Sequence, residues 1–404
     1  MSLTMLKEKE TDFDQLLENR VLGEYSTGKP GPTLICFCSI HGNEPSGMLA
    51  FRNVLGILRK EKIAIKGRVV GLAGNMAALR KHQRFIDVDM NRIWSSDRMK
   101  DIQNGTAEVV TSEDQEQMEL LTELKSIVKQ ATGELFFIDL HTTSSESQPY
   151  ISINDTLRNR RVALKYPLPI VLGLEEYLEG TILSYINELG HIALGFEAGQ
   201  HDAPASVTNH EAIIWLSLLN SGCLNFNASK ELIERKYGVL SKTIIDGKKV
   251  FELRHRHWVE PEDKFKMEPG YVNFQPIDKN ELLAIDKGGQ IRSGEKGRIF
   301  MPLYQSQGND GFFIVRAVKW FWLKVSAMLR ITRFHRLLHL LPGVGKYNRM
   351  NHSLIVNTKW ARWYVIDFFH LMGFRRKQVM GKRIVFIKRA YDVRKPQNHL
   401  SLPD

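Results

Sequence analysis

Residues 33–47 read TLICFCSIHGNEPSG. A run of mostly apolar, partly β-branched and aromatic residues is followed at once by glycine, asparagine and proline, with His41 and Glu44 among them. An apolar run of this length closed by turn residues predicts a strand buried on both faces. Turns use Gly, Asn and Pro for backbone reasons alone. A His and a carboxylate three residues apart at a strand end are suited to a divalent cation, or they are two solvated loop side chains. The spacing by itself leaves both readings open.

The pattern recurs along the chain. GRVVGLAG, ELFFIDLH and HIALGFEAG are further short strands, separated by helical patterns such as PSGMLAFRNVLGILRKEK and SEDQEQMELLTELKSIVKQ. In the latter, Ser112 stands before an acidic first turn as the expected N-cap. This alternation predicts an α/β fold, a mixed but mostly parallel sheet covered by helices. His41, Asn75, His141 and Glu197 all fall where these strands end. Open α/β sheets place their sites there.

Near residue 225 the pattern changes. In KYGVLSKTIIDGKKVFELRHRHWVE a DG turn between alternating stretches predicts a hairpin. Glycine-containing turns at 269–270 and 288–289 extend this to a small β-rich domain ending near 315. The remainder contains RAVKWFWLKVSAMLRITRFHRLLHLL and NTKWARWYVIDFFHLMGF, two helical patterns, and a strand-like KRIVFIKRA. The expected organisation is therefore an α/β domain (1–225), a small β-rich domain (226–315) and a basic, amphipathic helical C-terminal extension (316–404).

Composition excludes several classes. With 404 residues, 43% hydrophobic and 25% charged, the chain reads as a soluble globular protein of two or three domains. The first fifteen residues lack the apolar core of a signal peptide, and no apolar run is long enough to span a bilayer. Three cysteines, Cys36, Cys38 and Cys223, make no disulfide framework; the first two read as small buried hydrophobes inside a strand. A cytoplasmic location is the expectation. The net charge of +11 is uneven: residues 316–404 hold 19 Lys and Arg against three acids, so that segment carries +16 and the rest −5.

Three further signals bear on chemistry. His141 ends the ELFFIDLH strand, and two His with one Glu form a standard catalytic zinc set that leaves a position open. FIDVDMNR, with Arg84 just before it, offers Arg forks suited to a carboxylate, the directional donor Asn91, and Asp89, which can accept the second ring N–H of a ligating His. A surface salt-bridge cluster has the same composition. In GFEAGQHDAP, Glu197 is suited to take a proton from water beside a metal, or is an ordinary loop carboxylate.

Taken in order, HGNE, DMNR, DLHTT and FEAGQ resemble the succinylglutamate desuccinylase/aspartoacylase family, related in fold to the zinc carboxypeptidases. The resemblance spans roughly residues 32–304. It implies one Zn²⁺ per chain held by His41, Glu44 and His141, with Glu197 as general base and later proton donor. Arg84 would polarise the scissile carbonyl, and Asn91 and Arg92 would hold the substrate carboxylate. Asp89 would support the first His, and Tyr304 would reach back from the small β-domain to the cleft. The implied reaction is hydrolysis of the amide of an N-acyl amino acid or similar small carboxylate.

Two alternatives stay open: a metallocarboxypeptidase acting on short peptides or cell-wall fragments, and a non-catalytic membrane- or nucleic-acid-associated binding protein. Thr142 stands where family members often carry a more polar residue. Everything after 315 lies outside the resemblance. There Trp320, Phe321 and Trp322 interleave with Lys324, Arg330 and Arg333. Such a segment packs on the body or on a second copy, or meets an anionic membrane surface. Nucleic acid has only the charge in its favour, with no reading motif.

Overall fold

The computed structural model describes residues 18–245, 247–347, 353–357 and 365–393. The chain enters on β1 (Val21–Ser26), and the apolar run forms β2 (Lys29–Cys38), whose last six residues are buried. Alternate β2 side chains supply two cores. Leu34, Cys36 and Cys38 pack with Phe51, Leu58 and Trp215, whereas Ile35 and Phe37 pack with Leu120 and Phe137. A strand covered on both sides shows no polar alternation, which is why it reads as a continuous apolar run. All three cysteines are free and buried, and burial pushes the Cys36 and Cys38 thiols up.

The other strands read from the sequence are β3 (Lys66–Ala73), β4 (Leu135–Thr143) and, after the short β5 (Tyr150–Ile153) and β6 (Ile170–Leu172), β7 (Ile192–Gln200). β3, β2, β4 and β7 lie side by side and parallel. Their carboxyl ends therefore share one edge, and His41, His141 and Glu197 gather there. Helices Ser46–Lys60 and Pro204–Ser221 cover one face, and Ser112–Lys129 the other. The cap of Ser112–Lys129 is Thr111, one residue before the expected Ser112. Its hydroxyl accepts the Asp114 N–H, and Asp114 answers in a capping box.

The expected hairpin after residue 225 is corrected. Residues Lys230–Lys242 form a helix, burying Ile233, Lys236 and Leu240 at helical spacing against Pro204–Ser221. The main sheet continues past that point: β8 (Val250–Trp258) pairs parallel with β6. The chain next forms β9 (Lys266–Met267), β10 (Pro276–Ile277), β11 (Leu282–Asp286), β12 (Gly289–Arg292), β13 (Gly297–Phe300) and β14 (Asp310–Ala317). The eleven-stranded sheet runs β1-β3-β2-β4-β7-β5-β6-β8-β14-β13-β10, while β12-β11-β9 form a separate small sheet.

The C-terminal extension has helices at Trp320–Ile331 and Val365–Leu371, as its pattern suggests. It also contains a four-stranded antiparallel sheet of β15 (Val344–Lys346), β16 (Ser353–Asn357), β17 (Phe374–Met380) and β18 (Arg383–Lys388). KRIVFIKRA corresponds to β18. Most of the start of NTKWARWYVIDFFHLMGF lies outside the described residues.

Candidate metal centre and catalytic cleft

The loop leaving β2 must turn sharply and lie close to its neighbours. Ser39 takes a positive φ of 57°, and a Cβ on Gly42 would meet the Ala78 backbone at 2.2 Å. On Gly47 it would meet Leu140 Cβ at 2.8 Å. The glycines of HGNEPSG thus let the loop seat against the short helix Met76–Arg80 and against β4. Glu113, fully buried, accepts the backbone N–H groups of Ile86, Asp87 and Val88 and so fixes the FIDVDMNR loop. Asn75 serves the same scaffold: it caps Met76–Arg80 and donates to Glu113.

These supports bring His41, Glu44 and His141 together, all buried, with one potential ligand atom from each within 4.8 Å of the others. Among the described residues this is the one group of three or more His, Cys, Asp or Glu able to hold a metal ion. His41 Nδ1 lies 2.8 Å from Glu44 Oε1, and His141 Nδ1 lies 3.1 Å from Glu44 Oε2. Both rings therefore turn Nδ1 to the shared carboxylate. Their Nε2 atoms turn outward, His41 to Asp89 Oδ1 at 3.2 Å and His141 to Asp139 Oδ2 at 2.7 Å. A carboxylate behind each imidazole is the arrangement that fixes the tautomer of a metal-ligating His. Two nitrogens and a carboxylate oxygen fit zinc or a similar borderline ion.

Charge explains the protonation of the cluster. Burial opposes ionisation of Glu44, but His41 and His141 hold its carboxyl well below the usual range. Burial likewise disfavours the charged form of His141, yet Asp139 and Glu44 hold its pKa well above the ordinary value. Asp89 is half-buried; desolvation opposes its ionisation, but Arg84 and His41 keep it well below the usual carboxylate range. Glu197 differs. It sits on β7 beside His141 of β4 in the sheet register, with Oε2 buried and unpartnered. Burial pushes its carboxyl up to about 8, Glu44 and Asp139 adding to this against His141 and Arg84.

Arg84 points into the cleft, its Nη2 3.0 Å from Asp89 Oδ2 and its Nη1 3.7 Å from Glu44 Oε1. Arg92 also lines the cleft but is ion-paired to Asp310 at 2.9 Å, and Asp310 takes Arg256 Nε at 2.5 Å on its other oxygen. Two of the expected substrate contacts are engaged by other groups in this structure. Asn91 is buried behind His141: its Oδ1 accepts the Ile182 N–H at 3.0 Å and its Nδ2 lies 3.5 Å from His141 Nε2. Tyr304 does not reach the cleft, because its hydroxyl donates to the Glu268 carbonyl at 2.7 Å and accepts the Tyr271 N–H at 3.0 Å. The neighbouring Gln305 faces inward instead, 3.2 Å from His201 Nε2, and His201 Nδ1 lies 2.8 Å from Thr142 Oγ1.

Sequence reasoning missed Asp139, Asp310, His201 and Gln305. Asp139 was visible two residues before His141, on the same face of the strand. Asp310 carried no local signal, since Arg92, its partner, lies 218 positions away in the sequence.

Parts of the chain are similar to known proteins. Residues 30–214 match the family described as the succinylglutamate desuccinylase/aspartoacylase catalytic domain. A succinylglutamate desuccinylase from Idiomarina loihiensis is 28% identical over 127 residues, 31% of this chain and 36% of that protein. The match thus spans about a third of that relative's length. Among solved structures, the succinylglutamate desuccinylase/aspartoacylase from Rhodobacter sphaeroides aligns over 72% of this chain and 87% of its own, with a TM-score of 0.52 at 19% identity. The succinylglutamate desuccinylase from Chromobacterium violaceum aligns over 76% and 98%, with a TM-score of 0.52 at 16% identity. With its strand-end motifs and its parallel sheet, the segment 30–214 is similar to the succinylglutamate desuccinylase/aspartoacylase catalytic domain.

Proposed function

We propose that this chain is a zinc-dependent amidohydrolase that splits the amide bond of an N-acyl amino acid or similar small carboxylate. The observation that carries the reading is the pairing of two features at one sheet edge. His41, Glu44 and His141 converge with Asp89 and Asp139 behind the rings, and Glu197, its buried Oε2 unpartnered, stands on the next strand.

An ion held by that trio supplies Lewis acidity, polarising a carbonyl and lowering the pKa of water. The chain's own residues do the rest. Glu197 takes the proton of the attacking water and returns it to the leaving amine. Its unpartnered Oε2 leaves an acceptor free for that proton. The Arg84 guanidinium places positive charge where negative charge grows on the carbonyl oxygen, already oriented by Asp89. Asp310 is shared by Arg92 and Arg256, so the trio keeps one net positive charge for a substrate carboxylate.

The cleft is small, about 90 Å³, and is bounded by Arg84, Arg92, Thr142 and His201. That volume favours a small acyl group over a polymer. It opens past Arg92 and Trp258 onto a wider trough of about 680 Å³ flanked by Phe85, Tyr177 and Arg256. This trough is the observation in favour of the second reading, a carboxypeptidase acting on short peptides. A panel of N-acetyl and N-succinyl amino acids and dipeptides, combined with metal analysis, separates the two. Replacing Glu197→Gln should lower kcat by a factor on the order of 10²–10⁴ while metal stays bound. Near-normal turnover in that variant would remove Glu197 as the base.

A further inference from the structure

The helix Trp320–Ile331 leaves a row of large apolar side chains exposed in addition to those it packs on the body. Its stripe at 323, 326 and 330 faces the body, where Ser326 and Arg330 are buried. Ser326 Oγ donates to the Leu371 carbonyl at 3.0 Å. Arg330, fully buried along its side chain, meets Asp155 at 2.8 Å and Asp392 at 3.3 Å. The stripe at 321, 324, 328 and 331 is at the same helical spacing and faces outward. Phe321 is 64% exposed, Met328 57% and Ile331 59%, with Trp320 beside them. The following 3₁₀ turn, Phe334–Leu340, continues the apolar surface to Leu340 at 70%. A globular helix normally buries its apolar stripe and exposes its polar one. An exposed apolar surface of this kind marks an interaction site.

Charge indicates what covers it. No Asp or Glu occurs between Asp310 and Asp367, a stretch that holds ten Lys and Arg. Lys319, Lys324, Arg333 and Arg336 are exposed among the aromatic and aliphatic side chains. A second copy would bring like charges face to face. Aromatic and aliphatic groups interspersed with exposed cations instead match an anionic bilayer interface, where the apolar side chains enter the acyl boundary and the cations meet the headgroups. Among the described residues no helix is long and apolar enough to cross a membrane. We propose that the Trp320–Ile331 helix and the adjoining turn dock this protein onto the surface of an anionic lipid membrane, with the Arg330 contacts holding the catalytic body at that surface.

The test is co-sedimentation of the full chain with vesicles of phosphatidylcholine alone and of phosphatidylcholine mixed with phosphatidylserine. The expected result is pelleting with the anionic vesicles only, weakening several-fold as added salt shortens the screening length. The double variant F321E/I331E alters two exposed positions, so it should keep the wild-type circular dichroism spectrum while binding at least about tenfold more weakly. Failure of the wild-type chain to pellet with anionic vesicles at low salt would overturn the proposal. So would binding that follows salt but ignores the two substitutions, because any polyanion could then satisfy the surface. A dimer in analytical ultracentrifugation that the double variant abolishes, without vesicle binding, would assign the face to a second copy instead.

Discussion

Asp139→Asn separates a metal centre from a mere cluster of buried polar groups. Asp139 is fully buried, with Oδ2 2.7 Å from His141 Nε2, and neither of its oxygens has a further hydrogen-bond partner. Its one side-chain contact is therefore that imidazole, while its charge also helps raise Glu197. The Asn side chain has the same shape and can still accept from Nε2–H, so the substitution removes charge and leaves volume unchanged. Loss of a carboxylate behind a ligating His lowers metal affinity by about 10–100-fold, or roughly 1.4–2.7 kcal/mol. The dissociation constant for zinc, measured by competition with a chromophoric chelator, should rise by that factor with circular dichroism unchanged. Asp89→Asn is the informative companion, because Asp89 also holds Arg84 at 3.0 Å. It should weaken metal binding similarly and lower kcat as well. A D139N protein that binds zinc as tightly as wild type would refute the assignment of His141 as a ligand oriented by Asp139.

Three more outcomes follow from the same contacts. In the ion-free protein the Glu197 carboxyl is raised to about 8, so its contribution to stability is complete below its ordinary pKa and is lost as pH rises toward 8. Melting temperatures over about pH 5–9 should therefore fall for wild type and stay flatter for E197Q; parallel curves would contradict the burial argument. Arg92→Ala should raise KM for a carboxylate substrate on the order of tenfold or more, as expected for a lost charged hydrogen bond, and change kcat less. A fall in kcat with KM unchanged would make Arg92 a transition-state contact instead. Arg330→Met should destabilise the fold by about 3–5 kcal/mol, as for other broken buried pairs. Asp155 would keep Arg160, but Asp392 would lose its nearest cation. Calorimetry giving an unchanged melting temperature would show that the extension docks through other contacts.

Much of the fold and half of the site were legible because their signals are local. A strand buried on both faces is a contiguous apolar word, and β2, β3, β4 and β7 all read that way. His41 and Glu44 share one turn, and His141 and Glu197 each end a strand, so parallel neighbours suffice to bring them together. What failed depends on longer range. The 230–242 segment has Gly238 and β-branched residues that suit a strand, yet packing on Pro204–Ser221 makes it a helix. Tyr304 was placed by resemblance, but its direction is set by Glu268 and Tyr271, residues more than thirty positions away. The extension's sheet escaped because β17 reads FRRKQVM, with four consecutive polar residues and no apolar alternation, leaving a weak pattern until β18 pairs with it.

The charges around the cleft explain why its protonation looks unusual. Glu44, Asp89, Asp139 and Glu197 place four carboxylates close together. Arg84 answers one of them, and Arg92 with Arg256 against Asp310 leaves one more positive charge at the rim. With both histidines neutral the set is two positive charges short, which is the charge of one divalent ion. Protons make up that deficit in the ion-free chain. His141 is held protonated well above its ordinary pKa, and Glu197 is pushed up to about 8 so that it too keeps a proton at neutral pH. Burial alone would have lowered the histidine, so its opposite shift reports the excess negative charge. An ion held by His41, Glu44 and His141 would displace those protons, so affinity is expected to strengthen as pH rises. The same exchange leaves Glu197 ionised beside a cation, the state in which it can accept a proton from water.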